Sequence, residues 1–364
     1  MNYCKNKEGV LKLKNMVAYD YLQVHGGAEI VTKEILNGLN FDELITAFSN
    51  EQTLSSLGIT ETKVINLGKL VKSSALSMLK ATWCFATFKP KQEYNTVIVS
   101  GVFAPLMVPR IKAKKIIYYC HTPPRFLYDL KKYYKETLSL PAYTFLKIFS
   151  LIYKPLYEKS LTNIDVVLAN SNNVKKRLKK YLNVDAEIVY PPCDTSYKGK
   201  ESKGYFLSTA RVEPLKRVDM IVDAFMQMPD KELIVMSGGS QLEQLKQRAK
   251  SHPNITFTGW VTEEEKRELI AHCEATIYIP KDEDFGMSPV ESIAAGKPVI
   301  GVAEGGLLET VQHSKSGLLI LPCDLTPRSI QSTCCMSLPS NISQPTFNDF
   351  LNSLTNIIKN IKTI

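Results

Sequence analysis

Two glutamates stand eight residues apart in the segment PKDEDFGMSPVESIAAGKPVIG, which runs from Pro280 to Gly301. Glu283 lies in an acidic loop after an apolar strand, and Glu291 lies in the first turn of the helix predicted to follow. A carboxylate accepts hydrogen bonds from two hydroxyls at once, which suits the vicinal diol of a ribose or a hexose. The two side chains are therefore candidate ligands of one sugar-containing molecule.

The start of the same helix offers sites for an anion. Ser288, Pro289 and Glu291 fit the N-cap, N1 and N3 positions of a capping box, and this box is the alternative explanation of Glu291. The amides of Gly286, Met287 and Ser288 would then lie at a helix N-terminus, which favours a phosphate or a partly charged sugar. These three residues are predicted to bind such a ligand.

Two cations follow an apolar strand predicted over 204–210. Arg211 leaves the strand end and Lys216 stands five residues further on, in STARVEPLKRVDMIVDAF. A cationic pair at this place suits a diphosphate, because it offsets the charge that develops as the diphosphate leaves. An ordinary pair of surface cations is the alternative.

The triplet Asp282-Glu283-Asp284 has the D-x-D form of a manganese clamp. Such triplets are also common in solvated loops, and no second cluster of metal ligands accompanies this one. The sequence therefore favours a solvated loop over a metal site here, and no cofactor is expected.

The first half of the chain holds two further candidates. Gly26 and Gly27 stand between a strand and an apolar helix, where paired glycines let backbone amides approach a phosphate or simply make a tight turn. They are not part of G-x-G-x-x-G, so the dinucleotide fingerprint is absent. His121 ends another strand and precedes two prolines, which makes it a candidate sugar contact, with a structural histidine as the alternative.

Short apolar runs alternate with helical patterns along all 364 residues, which predicts βα units and parallel sheets. We expect an α/β protein of two Rossmann-like domains, 1–190 and 191–345, facing across a cleft at the strand ends. The residues 321–344 read as an irregular loop, and the segment 346–364 as a final helix that crosses back to the first domain. The strands are predicted at 15–20, 44–48, 63–67, 96–100, 115–120, 165–169, 204–210, 232–237, 254–259, 275–279 and 298–302.

Charge is unevenly distributed along the chain. The net charge is +9, yet residues 110–180 hold 16 Lys and Arg against 4 Asp and Glu. No nucleic-acid-binding motif accompanies this excess, so no nucleic acid partner is expected. The stretch 143–160, YTFLKIFSLIYKPLYEKS, instead fits an interfacial helix on anionic lipid or, alternatively, a core helix whose lysines reach water.

The location of the protein follows from what the sequence lacks. Residues 1–15 do not form the apolar core of a signal peptide, and no apolar run reaches the length of a membrane span. The eight cysteines have no metal-binding spacing, so we expect reduced thiols. These features predict a cytoplasmic protein, peripheral on the inner face of the plasma membrane.

On these motifs the chain resembles family 4 glycosyltransferases of the GT-B fold, over about 16–320. The E-x(7)-E segment from Glu283 to Glu291 is the most specific match. Two departures are a longer start before Asn15 and a tail after Leu321 without the charged helical pattern expected there. The supporting matches are GGAE at 26–29, HTPPRFLYD at 121–129, ANS at 169–171, YPPCD at 190–194, TARVEPLKR at 209–217 and GGLLETV at 305–311.

The resemblance implies a retaining transfer of a sugar from a nucleotide-diphosphate donor without an obligatory metal. By that resemblance Arg211 and Lys216 bind the diphosphate, Glu291 binds the ribose and Glu283 the donor sugar. His121 would contact the donor sugar near its reacting carbon, and the second glycine of the pair would lie over a phosphate.

The HTPPR form is similar to mannosyl- and related transferases of bacterial surface polysaccharides, such as lipopolysaccharide. This implies GDP-mannose or a UDP-sugar as donor and a lipid-linked saccharide as acceptor, with residues 110–180 on the anionic membrane. The alternatives are a nucleotide-sugar 2-epimerase of the same fold and a non-catalytic partner subunit of a glycosyltransferase complex.

Overall fold

The computed structural model describes residues 13–23, 26–60, 63–69, 74–194, 196–339 and 350–360. The chain divides into two compact units. Unit 1 comprises Met1–Pro192 together with Asp349–Ile364, and unit 2 comprises Cys193–Asn348. The division lies two residues beyond the expected one, directly after the proline pair, where regular structure stops.

Unit 1 is built on a parallel sheet of seven strands in the order β3-β2-β1-β4-β5-β6-β7. Its helices cover both faces of this sheet, as parallel strands require. The strands are β1 Lys14–Tyr19, β2 Glu43–Thr46, β3 Val64–Asn66, β4 Tyr94–Ser100, β5 Ala113–Cys120, β6 Val166–Ala169 and β7 Glu187–Ile188. The helices are α1 Gly27–Gly38, α2 Glu51–Leu57, α3 Ser74–Thr87, α4 Lys131–Thr137, α5 Leu140–Ser160, α6 Asn172–Leu182 and the returning α13 Phe350–Asn360.

Alternate residues of the central strands supply two cores, one on each face of this sheet. Tyr118 belongs to the core that packs against α3 and α5, and its neighbour Tyr119 belongs to the opposite core. Leu354 of α13 is fully buried in that second core. The last helix therefore packs on unit 1, although it follows unit 2 in the sequence.

Unit 2 has a parallel sheet of six strands in the order β10-β9-β8-β11-β12-β13. Its strands are β8 Tyr205–Ser208, β9 Glu232–Met236, β10 Ile255–Gly259, β11 Thr276–Tyr278, β12 Val299–Val302 and β13 Gly317–Ile320. Its helices are α7 Val218–Phe225, α8 Leu242–Arg248, α9 Glu263–His272, α10 Met287–Ala294, α11 Leu307–Thr310 and α12 Pro327–Cys334.

The structure differs from the sequence predictions mainly in the tail. The expected irregular loop over 321–344 contains α12, because Thr326 and Ser329 form a capping box that starts this helix and Ile330 is fully buried. The sequence also did not predict the short edge strands β7 and β13. The predicted last helix is present as α13, and the rest of its expected span, 346–349 and 361–364, lies outside the described residues.

Candidate active site

The strand order of unit 2 locates a crevice. From β8 the chain runs outward through β9 and β10, and from β11 it runs the other way through β12 and β13. The neighbours β8 and β11 thus form a topological switch point, at whose carboxyl end open α/β sheets bind ligands. Lys216 follows β8 and Glu283 follows β11, so both candidates lie at this point.

Lys216 and Glu283 form an ion pair there. The Lys216 Nζ lies 2.5 Å from the Glu283 Oε2 and 3.3 Å from the Tyr278 hydroxyl. Burial by itself would lower the pKa of Lys216, but Tyr278 and Glu283 outweigh it and raise the pKa above its ordinary value. The lysine is therefore a permanent cation at the strand ends.

Two glycines from the loop after β12 press against the acidic loop that carries Glu283. The Gly306 amide donates to the Glu283 carbonyl at 2.7 Å. A Cβ at Gly305 would lie 2.5 Å from that same carbonyl oxygen, and one at Gly306 would lie 2.5 Å from the Asp284 carbonyl oxygen. The backbone of Glu283 is thus held at two positions that have room only for glycine. The GGLLETV motif in the sequence did not reveal this contact.

The other predicted cation is placed differently. Arg211 is exposed, and in the described part of the chain its guanidinium has no ion pair or hydrogen bond. Arg217, six residues further along the chain, pairs with Glu304 at 2.5 Å. Of the two cations predicted from the sequence, Lys216 alone is joined to Glu283, and the diphosphate role of Arg211 stays a prediction.

The predicted capping box of α10 is wrong. The N-cap is Gly286, which has a left-handed φ of 96° and no side chain, and the helix begins at Met287. Ser288 is therefore already inside the helix, and Glu291 is the fifth helical residue, too far along to reach the N-cap amide. The amides of Gly286, Met287 and Ser288 still lie at the start of this helix, as expected.

Without a capping role, Glu291 has another partner. It is only 6% exposed, and its Oε1 accepts a hydrogen bond from the Lys266 Nζ at 2.7 Å. Its Oε2 is buried, and no group of the described chain donates to it. Burial raises the pKa of Glu291, and Lys266 opposes that rise by stabilising the carboxylate. One carboxylate oxygen is thus anchored, and the other remains for a ligand.

Lys266 is a residue that the sequence did not reveal. It lies in α9, whose start reads EEEKRE like a solvated helix, and a capping box at Thr262 begins this helix. Its side chain nevertheless turns inward, with Nζ 5.9 Å from the centre of the Tyr197 ring. Charge periodicity alone could not distinguish this lysine from its exposed neighbours.

In unit 1, Gly26 and His121 belong to one cluster, and Gly27 is the first residue of α1. Tyr19 donates a hydrogen bond to the Glu29 Oε1 at 3.0 Å, and its ring meets the His121 ring edge to face at 6.3 Å. The Glu29 Oε2 lies where a Cβ on Gly26 would be 2.8 Å away. Tyr19 and Glu29 thus connect Gly26, the N-cap of α1, to the histidine.

His121 is held as a neutral imidazole. Burial lowers its pKa to about 4. Its Nε2 is buried and has no hydrogen-bond partner within the described residues. The ring can therefore exchange a hydrogen bond with a sugar hydroxyl without carrying charge.

Asp20 was not predicted from the sequence either. It directly follows β1, and its carboxylate accepts hydrogen bonds from the amides of Val102, Phe103 and Ala104 at 2.7, 2.7 and 2.8 Å. β1 and β4 form the switch point of the unit 1 sheet. Asp20 thus holds the loop after β4 against the end of β1, which is a positioning role.

The described residues also bear on metal binding and on membrane insertion. Over the residues that the structure describes, no group of three or more His, Cys, Asp or Glu side chains is arranged to hold a metal ion. Within the same ranges, no helix has both the length and the apolar character needed to cross a bilayer.

Comparison with known proteins confirms the family resemblance. Residues 195–328 match the family model of glycosyl transferases group 1. The chain is 28% identical over 289 residues to the alpha-1,3/1,6-mannosyltransferase ALG2 of Dictyostelium discoideum, covering 65% of this chain and 66% of that protein. The human ALG2 is 24% identical over 276 residues, covering 65% and 64%. The chain thus matches less than two thirds of the length of these relatives.

Solved structures confirm the GT-B fold. WaaG, a glycosyltransferase involved in lipopolysaccharide biosynthesis, superposes with a TM-score of 0.69 at 11% identity, covering 95% of this chain and 100% of WaaG. Anabaena HepE in complex with UDP gives a TM-score of 0.64 at 17% identity, covering 88% and 90%. This chain therefore has the GT-B fold, and its residues 195–328 are similar to glycosyl transferases group 1.

Proposed function

We propose that this protein is a retaining glycosyltransferase that transfers a hexose, with mannose from GDP-mannose as the first candidate, to a lipid-linked saccharide. The observation that carries the proposal is the buried carboxylate of Glu291, with one oxygen anchored by Lys266 and the other without a donor in the described chain, beside the switch point that holds Lys216 and Glu283. The similarity to mannosyltransferases favours mannose as the sugar.

The donor would be held along the carboxyl ends of the unit 2 strands. The Glu291 Oε2 would accept a hydrogen bond from a ribose hydroxyl, and the N-terminal amides of α10 would face a phosphate. Lys216 neutralises the diphosphate, while Glu283, fixed by its backbone and by Lys216, accepts hydroxyls of the sugar. Arg211 is exposed at the same strand ends and adds a second cation.

In the reaction, the bond between the anomeric carbon and the phosphate oxygen breaks, and the acceptor hydroxyl oxygen bonds to the same face of that carbon. The departing nucleoside diphosphate takes the bonding electron pair, and its phosphate oxygen receives the acceptor proton. Lys216 stabilises the negative charge as it develops. No metal ion is needed in this scheme, because a fixed cation performs that task.

The acceptor would be presented at an anionic membrane on the cytoplasmic side. The inner face of α5 is buried through Phe149, Tyr153 and Tyr157, so this stretch is partly a core helix. Its outer face, however, exposes Ile148, Leu151, Ile152 and Leu156, flanked by lysines. An apolar row bordered by cations fits a lipid surface better than water, which favours the membrane as the partner of this helix.

The test is incubation of the protein with labelled GDP-mannose, and then with labelled UDP-sugars, in the presence of a membrane extract. Label in the lipid phase supports the proposal, whereas epimerised free donor would make the protein a 2-epimerase. If neither product forms with any donor, the protein would instead be a non-catalytic subunit. Lys216→Met should lower turnover by about 30- to 1,000-fold, and the surface variant Lys246→Met should retain it.

A further inference from the structure

The outer face of α3 carries an apolar stripe that the proposed transfer reaction does not use. Leu76, Leu79 and Trp83 are spaced as one face of a helix and are 54%, 45% and 71% exposed. The opposite face is buried through Ala81 and Phe85. A helix that exposes an indole and two leucines on its outer side has the surface of an interaction site.

This stripe lies on the same side of unit 1 as the exposed row of α5. Both helices pack on the 3-10 segment Ala104–Arg110. They also contribute to a single core cluster, α3 through Phe85 and α5 through Tyr153. The buried faces of α3 and α5 pack on the same face of the sheet. The outer faces of the two helices therefore form the protein surface on that side of unit 1.

The charge around α3 identifies the kind of surface that it fits. Residues 63–92 contain six lysines and neither aspartate nor glutamate. Lys89 and Lys91, directly after α3, are both exposed. An apolar stripe in a cationic segment is complementary to anionic lipid, and tryptophan prefers the headgroup level of a bilayer.

We propose that α3 is a second membrane anchor, in which Trp83 inserts at the boundary between headgroups and acyl chains of an anionic bilayer, with Leu76 and Leu79 beside it. This inference rests on the proposed membrane-presented acceptor. The lipid-facing surface would then extend beyond residues 110–180 to α3. The lysines around this helix lie mostly outside its own residues. Two anchors would also fix the orientation of unit 1 on the membrane, which one helix cannot do.

The chain has two tryptophans, Trp83 in unit 1 and Trp260 in unit 2, so fluorescence can report on each one separately. In a Trp260→Phe protein, Trp83 is the sole tryptophan, and its emission should shift to the blue with phosphatidylglycerol vesicles. Lipids brominated near the headgroup should quench it. In the matched Trp83→Phe protein, the remaining Trp260 should show neither effect.

Affinity supplies an independent measurement. Trp83→Ser should weaken binding to the same vesicles about tenfold, through loss of apolar burial, and should leave thermal stabilisation by donor nucleotide unchanged. Unshifted Trp83 emission in protein that sediments with vesicles would overturn the inference and leave the transfer reaction standing. A blue shift that instead grows with protein concentration in the absence of lipid, with a dimer in sedimentation, would assign the stripe to a second copy and also overturn it.

Discussion

The Lys266 Nζ lies 2.7 Å from the Glu291 Oε1, and this contact leaves the buried Oε2 of the same carboxylate without a donor in the described chain. Because Lys266 occupies one oxygen, the carboxylate is oriented inside a buried site, and the cation opposes the rise of its pKa that burial causes. In the proposed function, Lys266 would thus be a positioning residue for donor binding, acting through Glu291 rather than touching the donor.

Replacing Lys266 should weaken donor binding more than it slows chemistry. In Lys266→Gln we expect the donor KM to rise about tenfold with a small change in kcat, because a charged hydrogen bond is lost. Without the cation, the already raised pKa of Glu291 rises further, so the acid limb of kcat/KM should move to higher pH. Lys266→Arg should restore part of the affinity, and Lys246→Gln, at an exposed pair with Glu243, should change nothing.

A loss of stability alone could mimic this result, so the double variant Lys266→Gln/Glu291→Gln separates the two effects. Neutralising both partners should restore melting temperature relative to Lys266→Gln, since no unpaired buried charge remains. Donor affinity should not recover with it. Recovery of both together would show that the pair serves stability only.

The contact of Gly305 with the acidic loop should be required for turnover. Gly305→Ala and Gly204→Ala both place a side chain at positive φ, 62° and 87°, and each should lose about 1–2 kcal/mol of stability. Only at Gly305 would the new Cβ meet the Glu283 backbone, whereas nothing lies within 4 Å of it at Gly204. Transfer rates at matched temperature below melting should fall for Gly305→Ala alone. Equal rates would mean that the loop can move without penalty.

Stability should depend on pH through His121. Its pKa is about 4 in the folded protein and 6.5 in its ordinary state, so below pH 6.5 the unfolded chain binds the proton first. The free energy of unfolding should therefore fall as the pH is lowered from about 6.5 to 4, by about 2–3 kcal/mol from this residue. Urea titrations of wild type and His121→Gln at several pH values should show a shallower fall in the variant. An NMR midpoint for the imidazole near 6.5 would contradict the assignment.

Removal of metal ions should not stop the reaction. Lys216 already provides the positive charge at the proposed diphosphate position, so chelation with EDTA should leave the transfer rate unchanged. The matched reaction contains EDTA with excess manganese. An EDTA-dependent loss that manganese restores would return the Asp282-Glu283-Asp284 triplet to the role of a metal clamp.

Lipid binding through α5 should depend on its lysines. Replacing both Lys147 and Lys154 by glutamine should weaken binding to anionic vesicles about 30-fold, at roughly 1 kcal/mol for each cation. Binding to the variant should also respond less steeply to salt. The control is Lys200→Gln/Lys246→Gln in unit 2, which removes the same charge elsewhere. Unchanged vesicle binding in the α5 variant would leave this helix as a core element only.

The sequence by itself determined the α/β class, the eleven strands that it predicted and the E-x(7)-E pair, because these depend on local periodicity and on residue types at fixed spacing. Tertiary structure alone decided what Glu291 does. The left-handed Gly286 starts α10 two residues early, which removes Glu291 from the predicted capping box, and Lys266 reaches it from α9, 25 residues away. Contacts between distant segments, such as this pair or Gly305 against Glu283, arise from strand order in the sheet, and no local pattern in the sequence encodes that order.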